Sequence, residues 1–297
     1  MNNFYMVVGP SGVGKSTLLQ NLKRNEMIDR IVSSDSIRAE FYGDASYQGD
    51  NNKVFNEVHK RIQAFLKYGL NVAYDATNLS SKRRRNFLKT IERFDVKKVC
   101  IVLVAEPELL IQRQNERARK VPKEVIKKQL LSFQCPLRTE GWDDIRILNY
   151  SHRSLEDSLG KNKIPNSNPH HSTATIYEHC ARAKEIMKQF TTKYWLWDAA
   201  LYHDIGKYFC KTFVNSKGEV TEDAHYYGHQ NYGAYLSLLD STYSDRIFDR
   251  LYLANLIQYH MEPYFRDEKG LVKLKEQVGL MMYEDLELLN KVDRLAH

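Results

Sequence analysis

Eight residues near the start, Gly9-Pro10-Ser11-Gly12-Val13-Gly14-Lys15-Ser16, match GxxxxGK[ST] in full, and Thr17 follows them. Glycines at this spacing let successive backbone N–H groups turn inward around phosphate, and a helix beginning there adds its dipole. Lys15 then reaches the β and γ phosphates, and Ser16 holds Mg²⁺. The pattern points to ATP or another nucleoside triphosphate and leaves the acceptor open. In open α/β sheets ligands bind beyond the carboxyl ends of the strands, so those ends are searched next. Asp35 follows Ile31-Val32-Ser33-Ser34, and Arg38 lies one helical turn on. A carboxylate there takes the proton of an attacking hydroxyl, and a guanidinium stabilises the charge developing on the transferring phosphate. Asp75 ends Asn71-Val72-Ala73-Tyr74 and has two open roles, a carboxylate beside Mg²⁺ or the group that orients Arg38. RQNERARKVP, residues 113 to 122, suits a phosphate-covering lid in which Arg117 or its rival Arg113 acts in cis.

A second constellation lies in the other half. His203-Asp204 sits in AALYHDIGK, an apolar helical stretch where an ionisable pair is costly unless metal or hydrogen bonds satisfy it. His179, His229, His260 and Asp293 each fall in a different helical segment, as when a bundle aims ligands from several helices at one centre. Imidazole mixed with carboxylate suits Mn, Fe, Co, Ni or Zn, and two ions bridged by a carboxylate activate water against a phosphoester. Asp204 is the natural bridge. His225 is a rival to His229, Lys207 is a candidate phosphate contact, and His170 and His171 are weaker candidates.

The elements needed to position these residues can be read from the apolar periods. FYMVV at 4–8 predicts a buried strand feeding the glycine loop and a helix from Lys15. Strand-like runs recur at 31–32, 71–74, 99–104 and 145–148, alternating with helical patterns at 54–68, 80–93, 107–117 and 123–133. That alternation implies βαβ units and a parallel sheet with flanking helices over residues 1–150. Polar, turn-rich text from 149 to 171 reads as a linker, bounded as 151–168. Helical patterns at 172–190, 195–208, 228–240, 244–261 and 270–296 then predict an all-α domain over 169–297.

At 297 residues the chain is long enough for two domains, and 42% hydrophobic with 27% charged residues fits a soluble globular protein. The absence of an apolar run near 18 residues argues against a membrane span, and the expected location is the cytoplasm. Cys100, Cys135, Cys180 and Cys210 lack CxxC spacing and read as reduced core thiols. The net charge of +7 permits a polyanionic partner, with Lys82 to Arg85 and Arg113 to Lys128 as the basic clusters.

Taken in order, GPSGVGKST, SSDSIR, YDATN and RQNERARKVP resemble the polynucleotide 5′-hydroxyl kinase family of end-healing enzymes over about the first 150 residues. The resemblance implies a P-loop kinase domain in which Gly9, Gly12, Val13, Gly14, Lys15, Ser16 and Thr17 bind nucleotide, with Lys15 on the phosphates and Ser16 on Mg²⁺. It makes Asp35 the general base and Arg38, Asp75 and Arg117 further active-site groups. Ser34 and Ser36 flank the base where a relative carries a cation or a second acid, which leaves acceptor preference open. IYEHC, YHDIGK, YYGHQ, QYHMEP and NKVDRLA, within Asn168 to His297, are similar to the HD phosphohydrolase superfamily. That likeness implies a core site of His179, His203, Asp204 and Asp293, with His229 and His260 completing a second metal. One or two divalent ions of the Mn, Ni, Co, Fe or Zn class are then expected. Jointly the two resemblances imply an RNA end-healing enzyme that phosphorylates 5′-hydroxyl ends of RNA, or of DNA, and removes 2′,3′-cyclic or 2′-phosphate groups before an RNA ligase acts. Two rival classes stay open: a small-molecule or nucleoside kinase with an HD nucleotidase, and an ATP-gated nucleic-acid binding or signalling protein.

Overall fold

The computed structural model describes residues 1–117, 120–150, 154–165, 167, 173–240 and 247–297. His170, His171 and the lid residue Arg119 lie outside the described residues. The chain divides into two compact units, Met1–Ile126 with Glu140–Tyr150, and Lys127–Thr139 with Ser151–His297.

In the first unit, β1 (Asn2–Val8), α1 (Lys15–Arg24), β2 (Arg30–Ser33), α2 (Ser34–Tyr42), α3 (Asn51–Lys67), β3 (Val72–Asp75), α4 (Ser81–Ile91), β4 (Val96–Val104) and α5 (Pro107–Asn115) follow in turn. After α6 (Lys123–Leu131), β5 (Asp144–Asn149) completes a five-stranded sheet in the order β2-β3-β1-β4-β5, every pair parallel. Strands of a parallel sheet are covered on both faces and therefore read as apolar runs rather than alternations. The consecutive buried residues of β1 (Phe4 to Val8) and β4 (Val99 to Val104) fit that rule. Fully burying each such side chain contributes roughly 1.5–3 kcal/mol.

Parallel strands put all their carboxyl ends on one edge. Ser33 pairs in register with Asp75, and Met6 with Tyr74, so the ends of β2, β3 and β1 stand side by side. No loop separates β2 from α2, which sets Asp35 in the first helical turn and Arg38 just beyond it. The helix expected from residue 54 begins earlier, at Asn51, because the Asp50 carboxylate caps it by accepting from the N–H groups of Asn52 and Lys53.

The second unit is built from α7 (Leu155–Gly160), α8 (Ile176–Phe190), α9 (Tyr194–Tyr202), α10 (Lys207–Cys210), β6 (Thr212–Val214), β7 (Val220–His225), α11 (His229–Ser237), α12 (Ile247–Tyr259), α13 (Glu262–Phe265), α14 (Glu268–Val278) and α15 (Leu280–Leu295). The all-α expectation needs correcting, since β6 and β7 form an antiparallel hairpin. Its turn closes where Asn215 Oδ1 accepts from the N–H groups of Lys217 and Glu219. The strands are short and largely exposed, so they leave no alternating apolar pattern. The linker reading gives way at α7, where Leu155 and Leu159 are buried. The single helix expected over 270–296 breaks at Gly279, whose φ of 86° suits glycine. A capping box between Thr175 and Glu178 fixes the start of α8.

All four cysteines are buried. Among the described residues no helix is long and apolar enough to cross a membrane.

Candidate functional site

The loop after β1 is shaped by what packs against it. A Cβ on Gly12 would lie 2.3 Å from Gln114 Nε2 and 3.1 Å from the Leu110 carbonyl, so only glycine lets α5 approach this closely. Val13 is buried, and its N–H turns back to the Pro10 carbonyl at 3.4 Å. Gly14 caps α1 with φ 100° and no side-chain bond, leaving the first backbone N–H groups of the helix for an anion. Lys15 Nζ donates to the carbonyls of Gly9 (3.0 Å) and Pro10 (2.8 Å). Desolvation lowers this ammonium to about 8, while the carboxylate of Asp75 works in the opposite direction. Ser16 Oγ donates to Asp75 Oδ2 at 2.8 Å. Burial raises the Asp75 carboxyl above the usual range, partly offset by that hydrogen bond and by Lys15.

Beside them, Arg38 Nη1 donates to Asp35 Oδ1 at 2.9 Å and Nη2 to Asn51 Oδ1 at 3.0 Å. The side chain of Asp35 is 54% exposed whereas that of Arg38 is 9% exposed, so a buried cation holds a carboxylate that an acceptor can reach. Arg38 Nε is buried without a hydrogen-bond partner. Of the two roles open for Asp75, contact with Ser16 is the one present, since Arg38 is bound by Asp35 and Asn51. The rival arginines are placed differently. Arg113 Nη1 donates to the Gly12 carbonyl at 3.3 Å and its guanidinium lies over Tyr150, whereas the charge of Arg117 acts on both Lys15 and Asp75.

The basic run Lys82 to Arg85 splits. Arg84 is fully buried, donating from Nε and Nη2 to the two carboxylate oxygens of Glu140 and from Nη1 to the carbonyls of Asn78 and Leu79. Ser81 Oγ and Trp142 Nε1 also donate to Glu140. Arg84 is thus no phosphate contact. It pins the turn after Asp75, from which Asn78 Nδ2 donates to the Val7 carbonyl and the Thr77 carbonyl accepts the Gly9 N–H.

The second unit gathers every residue of the expected ligand set. His203 and Asp204 occupy the turn after α9, His179 lies on α8, His229 opens α11, His260 follows α12 and Asp293 lies on α15. Nδ1 of His203, His229 and His260 meets the carbonyl three residues earlier, at Ala200 (2.8 Å), Tyr226 (2.8 Å) and Ile257 (2.6 Å). A carbonyl can only accept, so Nδ1 carries the proton and Nε2 presents its lone pair inward. The Nε2 atoms converge, 3.2 Å between His179 and His203 and 3.3 Å between His229 and His260. Asp204 spans the two pairs: Oδ1 lies 3.2 Å from His229 and 3.7 Å from His260, and Oδ2 3.4 Å from His203 and 3.8 Å from His179. Asp293 Oδ1 lies 2.9 Å from His179 Nε2 and 3.3 Å from His203 Nε2.

The donor set fits transition-metal ions: buried, convergent imidazole nitrogens share a carboxylate, with each tautomer fixed from behind. His179, His203 and Asp204 form one group able to hold an ion and Asp204, His229 and His260 another. His225 stands apart, its Nε2 against Thr221 Oγ1 at 2.9 Å. Lys207 Nζ lies 2.6 Å from Asp204 Oδ2. Gly206 is required here, because a Cβ would fall 2.1 Å from the His229 carbonyl oxygen.

A family profile described as AAA domain matches residues 4–136. An L-seryl-tRNA(Sec) kinase from Methanococcus maripaludis is 30% identical over 189 residues, covering 55% of this chain and 71% of its own length. The chain belongs to this P-loop kinase family. Two solved structures are also similar. A chain of the Pnkp1/Rnl/Hen1 RNA repair complex is 24% identical with a TM-score of 0.40, the match covering 44% of this chain and 43% of that one. A fungal RNA kinase is 19% identical with a TM-score of 0.38, covering 54% and 42%. The kinase thus spans less than half the length of either of those two chains.

Several groups of the kinase escape sequence reasoning. Asn51 holds Arg38 from a different helix, a pairing that no spacing announces. Gln114 donates to the Leu110 carbonyl and accepts the Val121 N–H, bracing the lid segment. Tyr264 donates its hydroxyl to Asp293 Oδ2 at 2.8 Å. His297 forms a further group with His179 and Asp293, and the signal that could have found it is its place one helical turn beyond Asp293.

Proposed function

We propose that the kinase transfers the γ-phosphoryl group of ATP to a 5′-hydroxyl end of RNA, and that the second unit is an HD phosphohydrolase acting on 2′,3′-cyclic or 2′-phosphate ends. The observation behind the first half is the Asp35–Arg38 pair beside the phosphate loop. Asp35, whose side chain is half exposed, accepts the proton of the attacking hydroxyl. Arg38, clamped by Asp35 and Asn51, stabilises charge on the transferring group, joined by Lys15 and by Arg117 from the lid. Ser16, with Asp75 behind it, would hold Mg²⁺, which would supply positive charge against the phosphate oxygens.

In the second unit, His179, His203, Asp204 and Asp293 would hold one divalent transition metal and Asp204, His229 and His260 a second. Ions of that kind lower the pKa of bound water and stabilise a leaving oxygen. The chain's own part is orientation: backbone carbonyls fix the tautomers, Tyr264 fixes Asp293, and Lys207 supplies a cation for substrate phosphate. A kinase for 5′-hydroxyl ends joined to a remover of 2′,3′-cyclic phosphate suits RNA cleavage products, which require both repairs before an RNA ligase can act.

A second reading has one observation in its favour, the 30% identity to an L-seryl-tRNA(Sec) kinase, which would make the acceptor a seryl hydroxyl carried on tRNA. Labelled ATP and Mg²⁺ offered with a 5′-hydroxyl RNA oligonucleotide, and separately with seryl-tRNA, discriminates the two. Transfer to the oligonucleotide that Asp35→Ala abolishes is the expected result; transfer to seryl-tRNA alone contradicts it.

A further inference from the structure

We infer that Arg83, stacked on Phe55, grips a backbone phosphate of the acceptor strand next to the reacting 5′ nucleotide, so that the kinase recognises its acceptor as a polymer. The inference rests on the 5′-hydroxyl reading above. Phe55 on α3 has two guanidinium groups over its ring: that of Arg38, 5.9 Å from the centroid, and that of Arg83, 5.8 Å away. One ring therefore links the buried cation at Asp35 to an exposed cation on α4. Both charges also act on the buried hydroxyl of Tyr74, which precedes Asp75 on β3, so they face the same end of the sheet.

Arg61 is neutralised by Glu40 and Glu57 and Arg146 by Asp144, while Arg30 at the amino end of β2 stacks on Phe65 and Arg93 after α4 stacks on Phe94, so neither shares a ring with Arg38. Among the described residues, Arg83 makes no ion pair. Its neighbour Arg84 is locked to Glu140, which anchors the first turn of α4 and presents Arg83 from a rigid element. Stacking immobilises a guanidinium while leaving its N–H edge free, and that planar fork matches phosphate. A nucleoside or other small acceptor has no phosphate to place there. An RNA strand offers one with every nucleotide.

Steady-state kinetics on a 5′-hydroxyl RNA oligonucleotide and on a 5′-hydroxyl nucleoside, at several NaCl concentrations, tests this with the full chain. Arg83→Ala is expected to raise KM for the oligonucleotide roughly tenfold with kcat little changed, and to reduce the slope of log KM against log salt by about 0.7, the value for one single-strand phosphate contact. KM values for ATP and for the nucleoside should stay as in wild type, Arg83→Lys should recover part of the oligonucleotide affinity, and Phe55→Leu should reproduce part of the loss. If wild type phosphorylates the oligonucleotide and Arg83→Ala shows the same KM and the same salt slope, the inference is wrong while the 5′-hydroxyl reading stands. Wild type unable to phosphorylate the oligonucleotide overturns both.

Discussion

Asp35 and Arg38 differ in exposure: the carboxylate stands half in solvent, and the guanidinium is buried and held from two sides, the division that the proposed roles of base and charge stabiliser require. Asp35→Ala should lower the rate of transfer about 10²- to 10⁴-fold, the usual contribution of a positioned base, with nucleotide affinity largely kept. Arg38→Lys should lose on the order of 10² in the chemical step, because an ammonium cannot bond both Asp35 and Asn51 in one plane. Single-turnover assays read both, and near-wild-type rates would remove the assigned roles. In the second unit, Asp204→Ala should lower bound transition metal measured by elemental analysis, since two of the three candidate ligand groups draw on that carboxylate. The residues legible in the sequence were those whose type and local spacing carry their chemistry, such as Lys15 and Ser16 or His203 and Asp204. Asn51 and Gln114 were not, because an amide becomes informative only when folding brings it to Arg38 or to the lid.

The turn after β3 depends on a buried ion pair. Arg84 and Glu140 are 1% and 0% exposed in their side chains, so Arg84→Ala leaves an uncompensated carboxylate, a change that costs about 3–5 kcal/mol. Urea unfolding should register that loss, and a change below about 1 kcal/mol would show that the pair does not anchor the turn. Acid sensitivity is assigned to α3. The His59 ring packs 4.7 Å from that of Phe87 on α4, and burial holds its pKa below the ordinary 6.5. Above that value the ring is neutral in both states and stability is complete. As pH falls through it, the unfolded chain takes up the proton first, so stability declines toward the lower native pKa. The urea midpoint of wild type should therefore drop more between about pH 7.5 and about pH 5.5 than that of His59→Phe; parallel curves would contradict the assignment. The parallel sheet was legible because doubly covered strands are continuous apolar runs, as in β1 and β4. The β6–β7 hairpin and α7 were not, because one is mostly exposed and the other is a six-residue helix inside polar text.

At the scale of the molecule, the two candidate sites share no residue, and each is assembled within one compact unit. Their chemistries should therefore be separable: Lys15→Ala stops phosphorylation and spares hydrolysis, while Asp204→Ala does the reverse. Chelation with a ligand selective for transition metals should silence hydrolysis and leave transfer in excess Mg²⁺ running, because imidazole-rich sites prefer transition metals and the phosphate loop does not. The order of the two motif sets was plain in the sequence, whereas the boundary between units was not: Lys127–Thr139 groups with the second unit although it precedes Glu140–Tyr150 of the first. The most direct measurement uses one RNA bearing a 5′-hydroxyl and a 2′,3′-cyclic phosphate, incubated with ATP, Mg²⁺ and Mn²⁺, with both ends then analysed. The account predicts a 5′-phosphate and an opened or removed 3′-terminal phosphate in wild type, with Lys15→Ala losing the first change and Asp204→Ala the second. An RNA recovered with both ends unaltered by wild type would contradict it.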